Sequence, residues 1–193
     1  MSGSTGNDLV IVRHGETEWS KTGQHTGRTD IPLTEEGRAV AAGLGDRLAA
    51  WSFGLVLTSP LSRARDTADL AGFGDAIVDD DLLEWDYGSV EGVTTATFRE
   101  QVPGWTVWRD GCPGGETPDE VGVRADRVIA RARAVDGPVL AFAHGHLLRI
   151  LAARWLGLEA AWGRALVLEP ATLSVLGWER ETPALRRWND HLD

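Results

Sequence analysis

Two stretches of this chain end in the same way. Val10-Ile11-Val12 runs into Arg13-His14-Gly15, and Leu140-Ala141-Phe142-Ala143 runs into His144-Gly145-His146. Each is a short apolar run opening abruptly into a polar, glycine-containing turn, the usual edge of an α/β site. Arg63 stands at the start of a helix that follows another apolar run, so a third segment can deliver a cation to the same place. Arg13, His14, Arg63 and His144 brought together would repel one another unless an anion sat among them. The planar fork of arginine fits phosphoryl oxygens. Taken singly each residue is ordinary, since a lone histidine after a strand is more often structural than catalytic. The repetition of the strand-to-histidine pattern is the stronger signal, and it leaves the reaction itself open.

The elements that must hold these residues can be read from caps and periodicity. Leu9–Val12 reads as a first strand, followed by a polar loop to about Pro32. Thr34 reads as an N-cap with Glu35 and Glu36 in the first turn of a helix that runs to about Trp51. Phe53–Thr58 is a second strand, and Ser59-Pro60 reads as a cap plus first-turn proline opening the helix that carries Arg63 and Arg65. Ile77-Val78 is a short third strand, and Leu82–Gly92 is loop-like. Residues 93–115 read as an irregular, substrate-covering insertion with one helical turn near Phe98. Thr117-Pro118-Asp119-Glu120 forms a capping box for a helix to about Val135. Pro138–Ala143 is a buried strand, and a helix follows His146 to Leu156. Ala165–Leu168, Thr172–Trp178 and Leu185–Trp188 read as closing strands. Strands alternating with helices predict an α/β three-layer sandwich with a mostly parallel central sheet and an antiparallel addition at one edge.

The 193 residues suit one domain, spanning 1–193 with residues 1–8 loose, and 42% apolar with 25% charged residues is ordinary globular composition. Nine tryptophans are many for this length and suit either core filling or a lined pocket. A net charge of −10 argues against nucleic acid and anionic membrane surfaces as partners. An anionic small molecule would then need a local cationic pocket. Cys112 is the single cysteine, so no internal disulfide forms, and no metal-ligand spacing accompanies it. The polar N-terminus is unlike a signal peptide and no window reaches membrane-spanning length, so a cytoplasmic protein is the expectation. The oligomeric state stays open, a homodimer among the options.

The combined blocks resemble the histidine phosphatase superfamily, in its phosphoglycerate-mutase-like branch. The R-H-G-E-T signature matches Arg13–Thr17, the Gly-Gln-x-x-Gly stretch matches Gly23–Gly27, and Asp30 and Pro32–Thr34 follow in order. S-P-L-x-R-A-x-x-T-A matches Ser59–Ala68, L-x-E matches Leu82–Glu84, G-x-x-E-G matches Gly88–Gly92, and H-G-H matches His144–His146. The resemblance implies that His14 attacks phosphorus, that Arg13, Arg63 and His144 clamp the phosphoryl oxygens, and that Glu84 is the general acid and base. It implies contacts to phosphate or substrate from Ser20, Thr26, Gly27, Tyr87 and Gly145, and it calls for neither cofactor nor metal. Glu16 reads as structural and Glu91 as part of a turn, while His25 and His146 have no firm role.

Within that family, hydrolysis is the better reading than mutase action. Mutases carry asparagine where this chain has Ser20, and a lysine with paired arginines in the insertion to bind a substrate carboxylate. Here residues 93–115 hold only Arg99 and Arg109, apart from one another. Trp105 and Trp108 suggest a partly apolar cover able to stack on a ring. A phosphorylated small metabolite, a sugar phosphate first among them, is the implied partner.

Overall fold

Side-chain alternation along the first strand decides where the layers lie. In a computed structural model describing residues 7–191, strand β1 spans Leu9–Arg13. Leu9 and Ile11 face one layer, whereas Val10 and Val12 face the other. The first layer is α6 (Pro118–Arg133) and α7 (Gly145–Trp155), the second α2 (Glu35–Leu48) and α3 (Ser62–Leu70). In α6, Val121, Ala125, Val128, Ile129 and Ala132 recur at helical spacing and are buried against the sheet. Full burial of each larger aliphatic chain is worth about 1.5–3 kcal/mol.

The sheet between them has six strands in the order β3-β2-β4-β1-β5-β6. β2 (Leu55–Thr58), β3 (Ile77–Val78), β4 (Val139–Ala143) and β1 run parallel. β5 (Leu173–Glu179) pairs antiparallel with β1, and β6 (Thr182–Asp190) extends that edge antiparallel to β5. The sandwich is therefore the mostly parallel, three-layer α/β architecture expected. Among the described residues no helix is long and apolar enough to cross a membrane.

Several elements depart from expectation for local reasons. The polar loop contains a short helix, α1 (Glu18–Thr22), whose Thr17 cap is answered by Ser20, where the usual partner is Glu or Gln. The helix after β2 starts at Ser62, not at Ser59-Pro60. Asp30 Oδ1 accepts from the Ser62 backbone N–H and hydroxyl at 2.9 and 2.8 Å and does the capping that Ser59 was expected to do. The insertion carries α4 (Thr95–Gln101), which contains the turn expected near Phe98, and also α5 (Val107–Asp110), which was not expected; each is started by a threonine cap. Ala165–Leu168 is not a strand. A 3-10 turn covers Ala160–Ala165, and the next carbonyls serve side chains, Val167 accepting from Trp188 Nε1 and Leu168 from Arg13 Nη1. Of the stretch expected to be loose, residues 1–6 lie outside the described residues, whereas Asn7 is tied to Val135 and Gly137 and the Asp8 carbonyl to Val139.

Candidate active site

The parallel register brings the two histidine turns side by side. Arg13 pairs with Ala143 across β1 and β4, and the His14 N–H donates to Ala143 O at 2.9 Å. The His14 and His144 rings consequently meet edge-on, centroids 5.1 Å apart. On the far side of β4, Ser59 N donates to Phe142 O at 3.0 Å, which sets the Ser59 hydroxyl 2.7 Å from His144 Nε2. Three neighbouring strands thus end in one polar cluster. The loop after β1 lies directly on α2: a Cβ on Gly15 would stand 2.5 Å from Gly37 O. Glycine at both positions is what permits that approach.

The tautomers follow from the acceptors. His14 Nδ1 lies 2.7 Å from Gly15 O, which can only accept, so Nδ1 carries the proton. Nε2 keeps its lone pair and has no protein partner among the described residues. Burial, then the Arg63 and Arg13 charges, hold His14 well below the ordinary imidazole range. His144 Nδ1 accepts from Arg63 Nε at 3.1 Å, so its proton sits on Nε2 and donates to Ser59. Burial first, and then Arg63, His14 and Arg13, lower His144 in the same direction. The repulsion expected of two histidines beside two arginines is relieved by leaving both imidazoles neutral. The arginines alone carry the positive charge.

Those arginines are held differently. Arg63 is fully buried, and its guanidinium donates to the carbonyls of Thr26, Gly27 and Thr29 and to His144. It lies behind the cavity wall. Arg13 lines the cavity, donates from Nη1 to Leu168 O at 2.6 Å, and leaves a buried Nε–H with no acceptor among the described residues. Its guanidinium packs on Gly145, where a Cβ would stand 3.3 Å from Arg13 Cζ. Gly145 makes room for the arginine. A buried N–H left without an acceptor costs about 1–3 kcal/mol, and more on a charged group.

Glu84 reaches the same cavity from the loop before the second 3-10 turn, Gly88–Val90. Its Oε1 accepts from the Trp85 and Leu147 backbone N–H groups at 2.9 Å each, and Oε2 from His146 N at 3.0 Å. The carboxyl is pinned to the first turn of α7, the end that attracts negative charge. Tyr87 and His146 are hydrogen-bonded to each other and both line the cavity. Burial keeps the Tyr87 phenol protonated and, with Arg149 and His25 adding to it, keeps His146 neutral. His25 gives its Nδ1 proton to Val93 O at 2.6 Å.

The cavity, of about 210 Å³, is lined by Arg13, His14, Glu84, Tyr87 and Gly145 together with Ser20, Gln24, His25, Thr26, Thr95, His146 and Arg149. Ser20 is at its edge, but its hydroxyl accepts from Thr17 N and donates to Thr17 O, so it is spent on the α1 cap. Gly27 is behind the wall, donating to Glu91 and accepting from Arg63. Trp105 and Trp108 do not line the cavity. Trp105 is buried against Phe98 and His25 with its N–H on Gly111 O, and Trp108 packs on Trp85, His146 and Arg149.

The histidine phosphatase superfamily (branch 1) model matches residues 9–191. This chain belongs to that superfamily. An acid phosphatase of Mycobacterium tuberculosis is 42% identical over 175 residues, 89% of this chain and 86% of that one. The sedoheptulose 1,7-bisphosphatase of Saccharomyces cerevisiae is 41% identical over 184 residues, 77% of this chain and 67% of its own length. The structure of a mycobacterial glucosyl-3-phosphoglycerate phosphatase bound to VO3 superposes with a TM-score of 0.85 at 31% identity, covering 95% of this chain and 99% of that one. The chain is accordingly a phosphatase, a phosphoric monoester hydrolase.

In this histidine phosphatase several supporting residues escaped the sequence reading. Thr67 Oγ1 accepts from Gly15 N at 3.0 Å and donates to Arg63 O at 2.7 Å, tying α3 to the histidine loop. It lies inside the Ser59–Ala68 block, which was the available signal. Glu91, read as part of a turn, accepts from Gly27 and Thr29 and so fixes the carbonyls that hold Arg63. Arg124 donates to Asp81, Leu83 and Glu84 carbonyls while paired with Glu116, and thereby sets the backbone that carries Glu84. Neither Arg124 nor Arg149 had a local sequence signal, since both are ordinary helix-surface arginines until the chain is folded.

Proposed function

We propose that this phosphatase hydrolyses a phosphomonoester of a small polyhydroxylated metabolite, a sugar phosphate, through a phosphohistidine on His14. The observation that carries the reading is the His14 ring itself: held neutral by burial, with its proton on Nδ1 and its Nε2 without a protein partner among the described residues, in a cavity that Arg13 also lines. Nε2 attacks phosphorus as the ester P–O bond breaks, and Glu84 gives its proton to the departing alkoxide oxygen. Glu84, now a carboxylate, takes a proton from water. The water oxygen attacks phosphorus, the P–N bond breaks, and its electron pair returns to Nε2.

Arg13 binds the phosphoryl oxygens directly, and the buried charge of Arg63 acts from behind. Through its bond to Nδ1, Arg63 also fixes the His144 tautomer that donates from Nε2 to Ser59. Positioning and electrostatics dominate phosphoryl transfer, so this cationic wall performs the role a metal takes elsewhere. The polar lining from Gln24, Thr26 and Thr95 supports a hydroxylated substrate, as do the sugar-phosphate esters named for two of the relatives.

Rapid quench with 32P-labelled sugar phosphate tests the mechanism. An acid-labile, base-stable phosphoenzyme should form in the native chain and be absent from His14→Ala. Steady turnover in His14→Ala would overturn the reading. Turnover should survive EDTA and be inhibited by vanadate, and a loss restored by magnesium would count against it.

A further inference from the structure

Arg149 is a cation in the cavity wall that the reaction above does not use. It lies on α7, one turn beyond His146, where it shares the cavity with Arg13 and His14. Its Nε donates to Gly163 O at 3.0 Å and Nη2 to Arg164 O at 3.1 Å. The guanidinium stacks over the Trp108 ring, 4.4 Å from the centroid. The group is therefore fixed in place by neutral partners, and Nη1 is left without one among the described residues. Gly163 is part of this clamp, since a Cβ there would stand 2.8 Å from Trp108 Cζ3.

The charge bookkeeping of the cavity then points to its ligand. The chain carries 29 acidic and 19 basic residues, and most of its arginines find a carboxylate. The two arginines that line the cavity, Arg13 and Arg149, are in no ion pair among the described residues. The one acidic side chain in the wall, Glu84, is held by three backbone N–H groups and, in the reaction proposed above, carries the proton for the leaving group. Burial draws Arg149 down to about 10, which still leaves it charged at neutral pH. A phosphoryl group at His14 would occupy Arg13 and leave Arg149 uncompensated.

We infer that Arg149 binds a second anionic group of the substrate, a carboxylate or a second phosphoryl, remote from the scissile ester. The inference rests on the reading of His14 and Arg13 as the phosphoryl end. It gives this phosphatase the anion contact that residues 93–115 lack, because Arg99 donates to Trp105 O and Arg109 pairs with Asp110, both outside the cavity lining. The substrate class is thus a sugar or polyol phosphate with a second negative charge. Trp108 and Gly163 are positioning residues for that contact.

The test compares Arg149→Gln and Arg149→Lys with the native chain on fructose 1,6-bisphosphate, 3-phosphoglycerate, fructose 6-phosphate and p-nitrophenyl phosphate. A charge-assisted hydrogen bond lost from one anion predicts a fall of roughly 10- to 150-fold in kcat/KM, expressed in KM, for the compound carrying the matching second anion. The two compounds without that anion should lose less by about tenfold or more, and Arg149→Lys should recover part of the difference. Which of the two doubly anionic compounds responds tells phosphoryl from carboxylate. A compound that is not turned over is read as a competitive inhibitor of p-nitrophenyl phosphate, and the same shift is expected in its inhibition constant. Equal losses on all four compounds would make Arg149 a brace for Trp108 only, and no loss on either doubly anionic compound would remove the subsite. Failure of the His14 reading would show separately, as the absence of a phosphoenzyme from p-nitrophenyl phosphate in the native chain.

Discussion

The two ends of the cavity are built by different rules. At the phosphoryl end, His14, His144 and Ser59 are the first residues past three adjacent strands, and ladder register alone sets their spacing. At the far end, His25, Thr95, His146 and Arg149 come from a loop, the insertion and α7, and are assembled by ring contacts and side-chain-to-carbonyl bonds. The first arrangement tolerates little movement, as suits an in-line displacement. The second can be rebuilt residue by residue without disturbing the sheet. On the proposed reading, chemistry is fixed by the sheet edge, and substrate choice by what is packed over it.

The largest effect that would break this division is at His14. His14→Ala should lower turnover by about 10⁴-fold or more on every ester, because the nucleophile is removed whatever the leaving group. Steady-state phosphate release reports it. A deficit that depended on the sugar would place His14 at the substrate end instead.

Next comes Glu84, which faces both ends. Glu84→Gln keeps the shape and, with its amide oxygen in the place of Oε1, the Trp85 and Leu147 contacts, but it loses the acceptor of the His146 N–H and has no proton to transfer. Sugar-phosphate cleavage should slow by roughly 10²–10⁴-fold. The p-nitrophenol burst should suffer much less, since p-nitrophenolate leaves without help, while later hydrolysis of the phosphoenzyme slows. Equal slowing of both bursts would make Glu84 a structural peg for α7.

How much of this was legible follows the same division. The phosphoryl end is readable because an apolar run followed by Arg-His-Gly states both the strand and its end. The helices α2 and α6 were readable from Thr34 and Thr117 caps, and the structure bears them out, α6 with its full capping box. The insertion was readable only in part: the helical turn expected near Phe98 is α4, whereas α5 was not foreseen. Its helices are one or two turns long, with Thr94 and Thr106 as their only markers, and the Trp105 indole that anchors them bonds a carbonyl six residues away. Ser59 was misread because the Ser-Pro pair looks like a helix start. The residue that actually caps that helix, Asp30, lies 32 positions upstream.

Thr67 offers a smaller test, on the joint between α3 and the histidine loop. Thr67→Val keeps the volume but leaves the Gly15 N–H buried without its acceptor, which costs about 1–3 kcal/mol. The melting temperature should fall accordingly. The loss of activity should be uniform across esters, because the loop it positions belongs to the phosphoryl end. Selective loss on one sugar phosphate would contradict the separation of the two ends.

The smallest effect on rate, and the last test, is with pH. Burial lowers His14, His25, His144 and His146 alike, reinforced at His14 and His144 by Arg63. A histidine kept neutral in the fold but free to protonate when unfolded makes the unfolded chain bind more protons below its ordinary value near 6.5. Stability must then fall as pH drops through that value, by about 1.4 kcal/mol per pH unit for each such histidine. Activity should not follow stability over the same range. Neutral His14 persists down to its own depressed value, so kcat/KM for p-nitrophenyl phosphate, corrected for the titration of the ester, should show no break near 6.5. Urea unfolding at pH 7 and pH 5.5, run beside the rate profile, measures both. His25→Gln should flatten the stability slope while leaving the position of the acid limb where it was, because His25 belongs to the substrate end. An acid limb at 6.5 would mean that His14 is not desolvated and that the strand edge does not set its state. A limb that moved with His25→Gln would mean the two ends titrate as one.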